Sequence, residues 1–193
     1  MLDRASLAEG APRAARLAGR IERGGFDVFL FDLRPSLHPD AGSRPGTGPR
    51  SRARDLGLPV AGALLFDRHD GPVPAAAGYA CALSADGALR AALLEAAQSR
   101  LTDIHGARED IEAMDARAAA WLRAWCQGVR PRRRARDVPP VRARGSRQAV
   151  AAVLARFRRA GLGRVAACRI APPGFPVQVA KVVVPGLLLS ELL

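Results

Sequence analysis

SADGALRAALLEAAQSRLTDIHGARED, residues 84–110, is the stretch on which the fold turns. Ser84 suits an N-cap, since its hydroxyl oxygen accepts from an orphan N–H of the first turn, and Asp86 puts an anion where the helix dipole favours one. On a helix of about 3.6 residues per turn, Leu89, Leu93, Ala97 and Ile104 make a core-facing stripe, with Arg100 projecting from its middle. Opposite lie Glu95, Gln98 and Thr102, among the small residues Ala88, Ala91, Ala92 and Ser99. A guanidinium among leucines needs a carboxylate, phosphate or carbonyl to satisfy its planar donors. The small residues leave room for something bulky and polar, such as a nucleotide with its metal. The plain alternative is that Arg100 snorkels from the core edge while Glu95 and Gln98 are solvated, and spacing alone weighs that alternative more heavily.

Outward from this helix the elements alternate. PRAARLAGRIERGG, residues 12–25, has helical spacing at Ala14, Leu17 and Ile21, with Pro12 suited to the first turn and Gly24 to the stop. FDVFLFDL, residues 26–33, reads as a buried strand. A second strand lies in LGLPVAGALLFD, residues 56–67, followed by a turn at RHDGP and a short extended stretch around AAAGYACAL. The span EDIEAMDARAAAWLRAWCQG, residues 109–128, continues helically. Ser146 is placed to cap a helix over residues 147–163, whose Val150, Val153, Leu154 and Phe157 share one face. RVAACRI and FPVQVAKVVVPG are then strands around a turn at APPG. Two segments break the pattern: residues 34–54, rich in Pro, Gly, Ser and Arg, read as a disordered insertion, and residues 129–145 as a basic, proline-broken linker. The fold class expected is α/β (α+β), a mixed or antiparallel sheet with packed helices.

The chain of 193 residues carries a formal charge of +12 and a pI near 11.4, which by itself suggests a polyanionic partner. Lys181 is the sole lysine, however, and the wealth of Ala, Gly, Pro and Arg fits GC-rich coding as well as selection for charge, so nucleic acid ranks low among partners. Cys81, Cys126 and Cys168 are isolated and lack metal-ligand spacing, which points to a reducing compartment and a cytoplasmic setting. No apolar run is long enough for a membrane span. His38, His69 and His105 are dispersed. Trp121 and Trp125, at i and i+4, are of a kind more often packed in a core than offered as a stacking platform. The run RPRRRAR could grip RNA or an acidic leader peptide, with a solvated linker as the blander reading. The apolar close, VVVPGLLLSELL, suggests packing on a partner.

ALLEAAQSRLTDIHGARED, residues 92–110, closely resembles the signature helix of the YcaO family, a stretch like E-A-x-Q-S-R-L-T-x-I-x-G-x-R-[DE]-D. Weaker resemblances fall in family order around it. GGFDVFLFDL with DLGLPV resembles the family's strand, turn and strand, interrupted here by the proline-rich insertion. GYACALSADGAL resembles the Gly-rich segment before the signature helix, and RFRRAGLGRV with PVQVAKVVVPGL the closing helix and strand. Together they imply that residues 1–193 are the C-terminal part of a YcaO-like domain.

The resemblance further implies ATP and Mg²⁺ as cofactors and ATP-dependent activation of peptide backbone amides, leading to an azoline ring or a thioamide. On this reading Glu95 helps bind Mg²⁺, Gln98 contacts nucleotide or metal-bound water, and Arg100 faces phosphate or braces the site. Arg108 matches the family's R-[DE]-D element as a phosphate contact, and Asp110 supports it; an ordinary loop ion pair is the equal alternative for these two. The partners implied are a peptide substrate, a separately encoded N-terminal half or a TfuA-like protein, and a further copy of the chain. The sequence also departs from the family pattern. Ala80 and Ala82 stand where Gly and His are frequent, Arg34 replaces a Thr, and no acidic residue directly follows the P-G-L. The family's second helix with paired glutamates is not in these residues, and lack of a proline-rich tail favours a thioamide-type or uncharacterised branch. A non-catalytic relative that binds a peptide or partner enzyme is the competing expectation.

Overall fold

The computed structural model describes residues 1–34, 56–69, 71–106 and 115–187. These fall into two compact units, the first holding the described residues up to Arg142 apart from Leu56, the second Leu56 and the residues from Ala143 onward. The proline-rich insertion, except for Arg34, lies outside the described residues, as do Arg108 and Asp110.

The first unit runs α1 (Leu7–Gly10), α2 (Pro12–Arg23), β1 (Phe26–Asp32), β2 (Val60–Asp67), β3 (Ala75–Cys81), α3 (Ala85–Ile104) and α4 (Ala116–Gly128), then a 3₁₀ turn at Ala135–Asp137. The strands form an antiparallel sheet in the order β1-β2-β3. Register sets the faces: Leu30 opposes Ala63, Val28 opposes Leu65, and Ala63 and Leu65 oppose Gly78 and Ala76. Because strand side chains alternate, these residues share the face on which α2 and α3 pack. Leu7, Ala14, Ala18, Leu89, Leu93 and Ala96 fill that layer and are fully buried or nearly so. At about 25 cal/mol per Å² of apolar surface removed from water, such burial is what opposes the chain's ordering entropy.

The contact between α3 and the sheet corrects the face assigned to the small residues. Ala88, Ala92 and Ala96 are buried against the strands, whereas Ala97 and Ile104 are exposed. The reason is backbone proximity: a Cβ at Gly78 would collide with the Ala92 carbonyl and the Ala96 amide. A helix this close to a strand tolerates only methyl groups between them, so the alanine carpet seats the sheet and not a ligand.

Caps fix the helix starts. Ser84 accepts from the Gly87 N–H at 3.1 Å, as expected. Asp86 does more than complement its own dipole: its Oδ1 accepts from the Arg13 and Ala14 N–H groups, both at 2.9 Å, and so caps α2, which has no side-chain cap of its own. Asp115 caps α4 by accepting from the Ala118 N–H at 2.7 Å.

The segment expected as a basic linker over residues 129–145 instead packs on the first unit through much of its length. Leu2 bridges Arg133 in parallel, Arg132 N–H donates to the Met1 carbonyl, and the Val141 N–H donates to the Leu83 carbonyl at 2.6 Å. Ala135, Val138 and Val141 are buried. Two of its arginines are spent on carboxylates: Arg133 reaches Asp32 at 2.6 Å and Arg136 reaches Glu9 at 2.7 Å. On the other face of the sheet, Phe66 is buried edge-on to Phe29, with ring centroids 5.7 Å apart. Asp27 on that face is held between Arg68 and Arg123 of α4.

The second unit consists of α5 (Ser146–Arg159) and an antiparallel hairpin of β4 (Ala166–Arg169) and β5 (Ala180–Val183). The N-cap of α5 is Gly145, at φ +90°, and Ser146 is already helical, which corrects the expected cap. No residue of α5 is buried, and every residue of the two strands is exposed. No described helix is long and apolar enough to cross a membrane.

Candidate functional site

Of the residues singled out in the sequence, Glu95, Gln98 and Arg100 are described, and α3 sends them in two directions. Glu95 and Gln98, one turn apart, both project to solvent on the side away from the sheet. Arg100 lies on the sheet side. Glu95 and Arg100 are five positions apart, so at about 100° per residue the two point about 140° apart and cannot grip one small ligand from the same helix face.

Arg100 is held by the sheet. Its Nη2 donates to Asp67 Oδ2 at 2.6 Å, and its guanidinium carbon lies 4.9 Å from the centroid of the Phe26 ring. Asp67 ends β2 and is the inward-facing register partner of Phe26, so one carboxylate and one aromatic face meet the guanidinium together. Asp67 also accepts from the His69 N–H at 2.8 Å. Burial alone would raise the Asp67 carboxyl, but the His69 N–H and the Arg100 guanidinium outweigh it and hold the group below the usual carboxylate range. Gly71 closes the turn over this pair, where a Cβ would sit 2.5 Å from Asp67 Oδ2. The Arg100 Nε is buried and has no hydrogen-bond partner. Of the two roles implied for Arg100, the geometry has the character of a brace: it ties the C-terminal end of α3 to the β2–β3 turn.

Strand alternation could have found Asp67. Ala61, Ala63 and Leu65 face inward, and two residues on, at the strand end, the same face carries a carboxylate. Asp32 is the corresponding acid at the end of β1, bound by Arg34 at 2.8 Å and by Arg133. Burial pushes its carboxyl up, and the two guanidiniums pull it down further, to a net lowering. The Arg133 contact spans 101 residues of sequence, so no local pattern signals it.

The solvent side of α3 is chemically open. Glu95 makes no hydrogen bond or ion pair, and Thr102 Oγ1 donates to the Gln98 backbone carbonyl at 3.0 Å, leaving the Gln98 amide outward. A carboxylate and an amide oxygen are hard donors of the kind Mg²⁺ takes, and that ion keeps several waters and binds through one or two carboxylates plus phosphates. The donor chemistry fits one side of such a site. Among the described residues no three His, Cys, Asp or Glu side chains come together. The three cysteines form no disulfide.

Residues 2–188 match the family model described as YcaO cyclodehydratase, ATP- and Mg²⁺-binding. No curated protein matches the chain. Among solved structures, the YcaO protein of Methanopyrus kandleri bound with AMPPCP and Mg²⁺ superposes with a TM-score of 0.62 at 19% identity, over 89% of this chain and 42% of that one. The heterocyclase TruD gives 0.60 at 20% identity, over 98% and 24%. A heterocyclase in complex with substrate and cofactor gives 0.59 at 22%, over 96% and 23%. At these identities the likeness concerns the fold. The chain spans less than half the length of each.

Proposed function

The chain belongs to the YcaO family, and on that premise we propose that it takes part in ATP- and Mg²⁺-dependent activation of peptide backbone amides, for azoline or thioamide formation. The observation that carries the reading is the solvent-facing pair Glu95 and Gln98, unpartnered and one turn apart on the helix that bears the family signature. Glu95 would hold the metal and Gln98 the nucleotide or a metal-bound water. Bound ATP supplies the phosphoryl group that makes an amide oxygen a leaving group. The residues of this chain orient and neutralise: the Arg100–Asp67 pair fixes the end of α3, and Arg108 and Asp110 we assign to the same site on the family resemblance alone. Further metal ligands would come from outside the described residues, among which no three such side chains come together.

Calorimetry of the full chain with ATP tests this. Saturable binding that requires Mg²⁺ and weakens at least about tenfold in Glu95→Ala, a loss of about 1.4 kcal/mol, is the expected result. Absence of binding heat at millimolar ATP and Mg²⁺ would sink the reading. That outcome would favour the second one, a non-catalytic relative that binds a peptide or partner enzyme, which the lack of any three-residue ligand cluster among the described residues supports.

A further inference from the structure

The expectation that Trp121 and Trp125 pack in the core is not met: they are 69% and 51% exposed. The helix itself explains this. Ala119 and Cys126 are the buried line of α4, and the tryptophans project from its opposite side with Arg117 one turn further back. Residues 117, 121 and 125 therefore form one outward stripe at i, i+4 and i+8. Ala120, Ala124 and Gly128 lie beside it, small enough for another backbone to come close. Two indoles on the solvent face of a thirteen-residue helix leave a large apolar area wet, and Trp with Arg is the composition of contact hot spots.

Charge selects the occupant. Arg117, Arg130 and Arg132 are exposed and have no carboxylate partner, and the described part of the outward face of α4 carries no acid. The neighbouring arginines 123, 133 and 136 are already neutralised by Asp27, Asp32 and Glu9, so of the two arginines on α4 only Arg117, in the stripe itself, is left free, which is no continuous cationic track along the helix. A nucleic-acid backbone needs a cation for most phosphates it passes. An amphipathic helix needs apolar contact along its centre and a few opposite charges at the rim.

We propose that the Arg117–Trp121–Trp125 stripe is a docking surface for an acidic amphipathic helix of another polypeptide, its leucine-type side chains on the indoles and a carboxylate on Arg117. This surface is on α4, not α3, and does not rest on the nucleotide reading.

Trp121 and Trp125 are the only tryptophans in the chain, so intrinsic fluorescence reports on this face alone. The probe is a synthetic peptide of about 18 residues with Leu at i, i+3, i+4 and i+7 and Glu elsewhere, titrated into the full-length protein. Its Lys-for-Glu counterpart and poly(U) serve as controls. Free protein is expected to emit as solvated indole and to shift blue, saturably, with the Glu peptide only. By anisotropy of the labelled peptide, Arg117→Glu should weaken binding at least about fivefold, and Trp121→Ala/Trp125→Ala should abolish it, with far-UV circular dichroism unchanged. A blue-shifted free protein, a flat titration, equal binding of the Lys peptide, or preferential binding of poly(U) would each overturn the proposal. Arg117→Glu binding as tightly as the unaltered chain would do the same, and that variant guards against misfolding of the tryptophan pair.

Discussion

Helices α3 and α5 show how differently similar patterns can end. Both follow an i, i+3, i+4 apolar spacing and both were expected to bury a face. In the first unit α3 sinks Ala88, Leu89, Ala92, Leu93 and Ala96 against β2 and β3. In the second, α5 buries none of Val150, Val153, Leu154 and Phe157, and its two strands are four residues each and exposed throughout. A helical stripe is only half of a core. The first unit supplies the other half, a three-stranded sheet whose Gly78 lets the helix backbone settle onto it, whereas the second offers a two-stranded hairpin, too small by itself to be stable in water.

The contrast can be broken most forcefully at the helix–sheet contact. Gly78→Val puts three extra carbons against the Ala92 carbonyl and the Ala96 amide and should cost about 3 kcal/mol or more, seen as a large fall in the urea midpoint of the full chain. An unchanged midpoint would mean that α3 does not seat on β3 as described.

Leu93→Ala, at a fully buried site, should cost about 2–4 kcal/mol. By hydrogen exchange it should accelerate amides of α3 and β2 while leaving those of β4 and β5, already fast, unaffected. A uniform acceleration through both units would show that they unfold together and that the contrast is only one of exposure.

Arg100→Ala leaves Asp67 partly buried without its cation and should cost about 2 kcal/mol, near the lower end for broken buried pairs because the guanidinium is partly solvated. The pH dependence follows from sign. Asp67 and Asp32 have carboxyls lowered in the folded state, so their stabilisation is complete above the ordinary aspartate range and is lost as pH falls through the lowered values. Asp67→Asn should flatten the acid limb of a stability–pH curve; a curve of unaltered slope would remove Asp67 from the account. The smallest effect belongs to the second unit: Val182→Ala should change stability by no more than about 0.5 kcal/mol, and a loss above about 1.5 kcal/mol would mean that this face is covered in solution.

Much of the fold was legible. Ser84 as a cap, Pro12 and Gly24 as the limits of α2, and the three strand segments appear where residue chemistry puts them. The candidate site was legible in part. Glu95 and Gln98 face outward as the wheel placed them, while the residues that hold Arg100 sit on other strands, 33 residues away for Asp67. Residues 129–142 misled for a related reason. A run of arginines reads as a solvated linker until Asp32 and Glu9, from distant elements, are seen to pair with two of them and the apolar Ala135, Val138 and Val141 to be buried.

The sequence by itself determined where α2 and α3 begin and where the strands of the first unit lie, because caps, prolines, glycines and side-chain periodicity act over a few residues. It also carried the family signature, a string of identities along one helix. Tertiary structure alone decided which side of each helix is inside. An alanine methyl suits a sheet, a ligand or water almost equally, so the fate of Ala92 depended on a glycine in β3, and that of Trp121 on which side of α4 met the core. Burial belongs to pairs of surfaces, and only the folded chain brings the two members of a pair together.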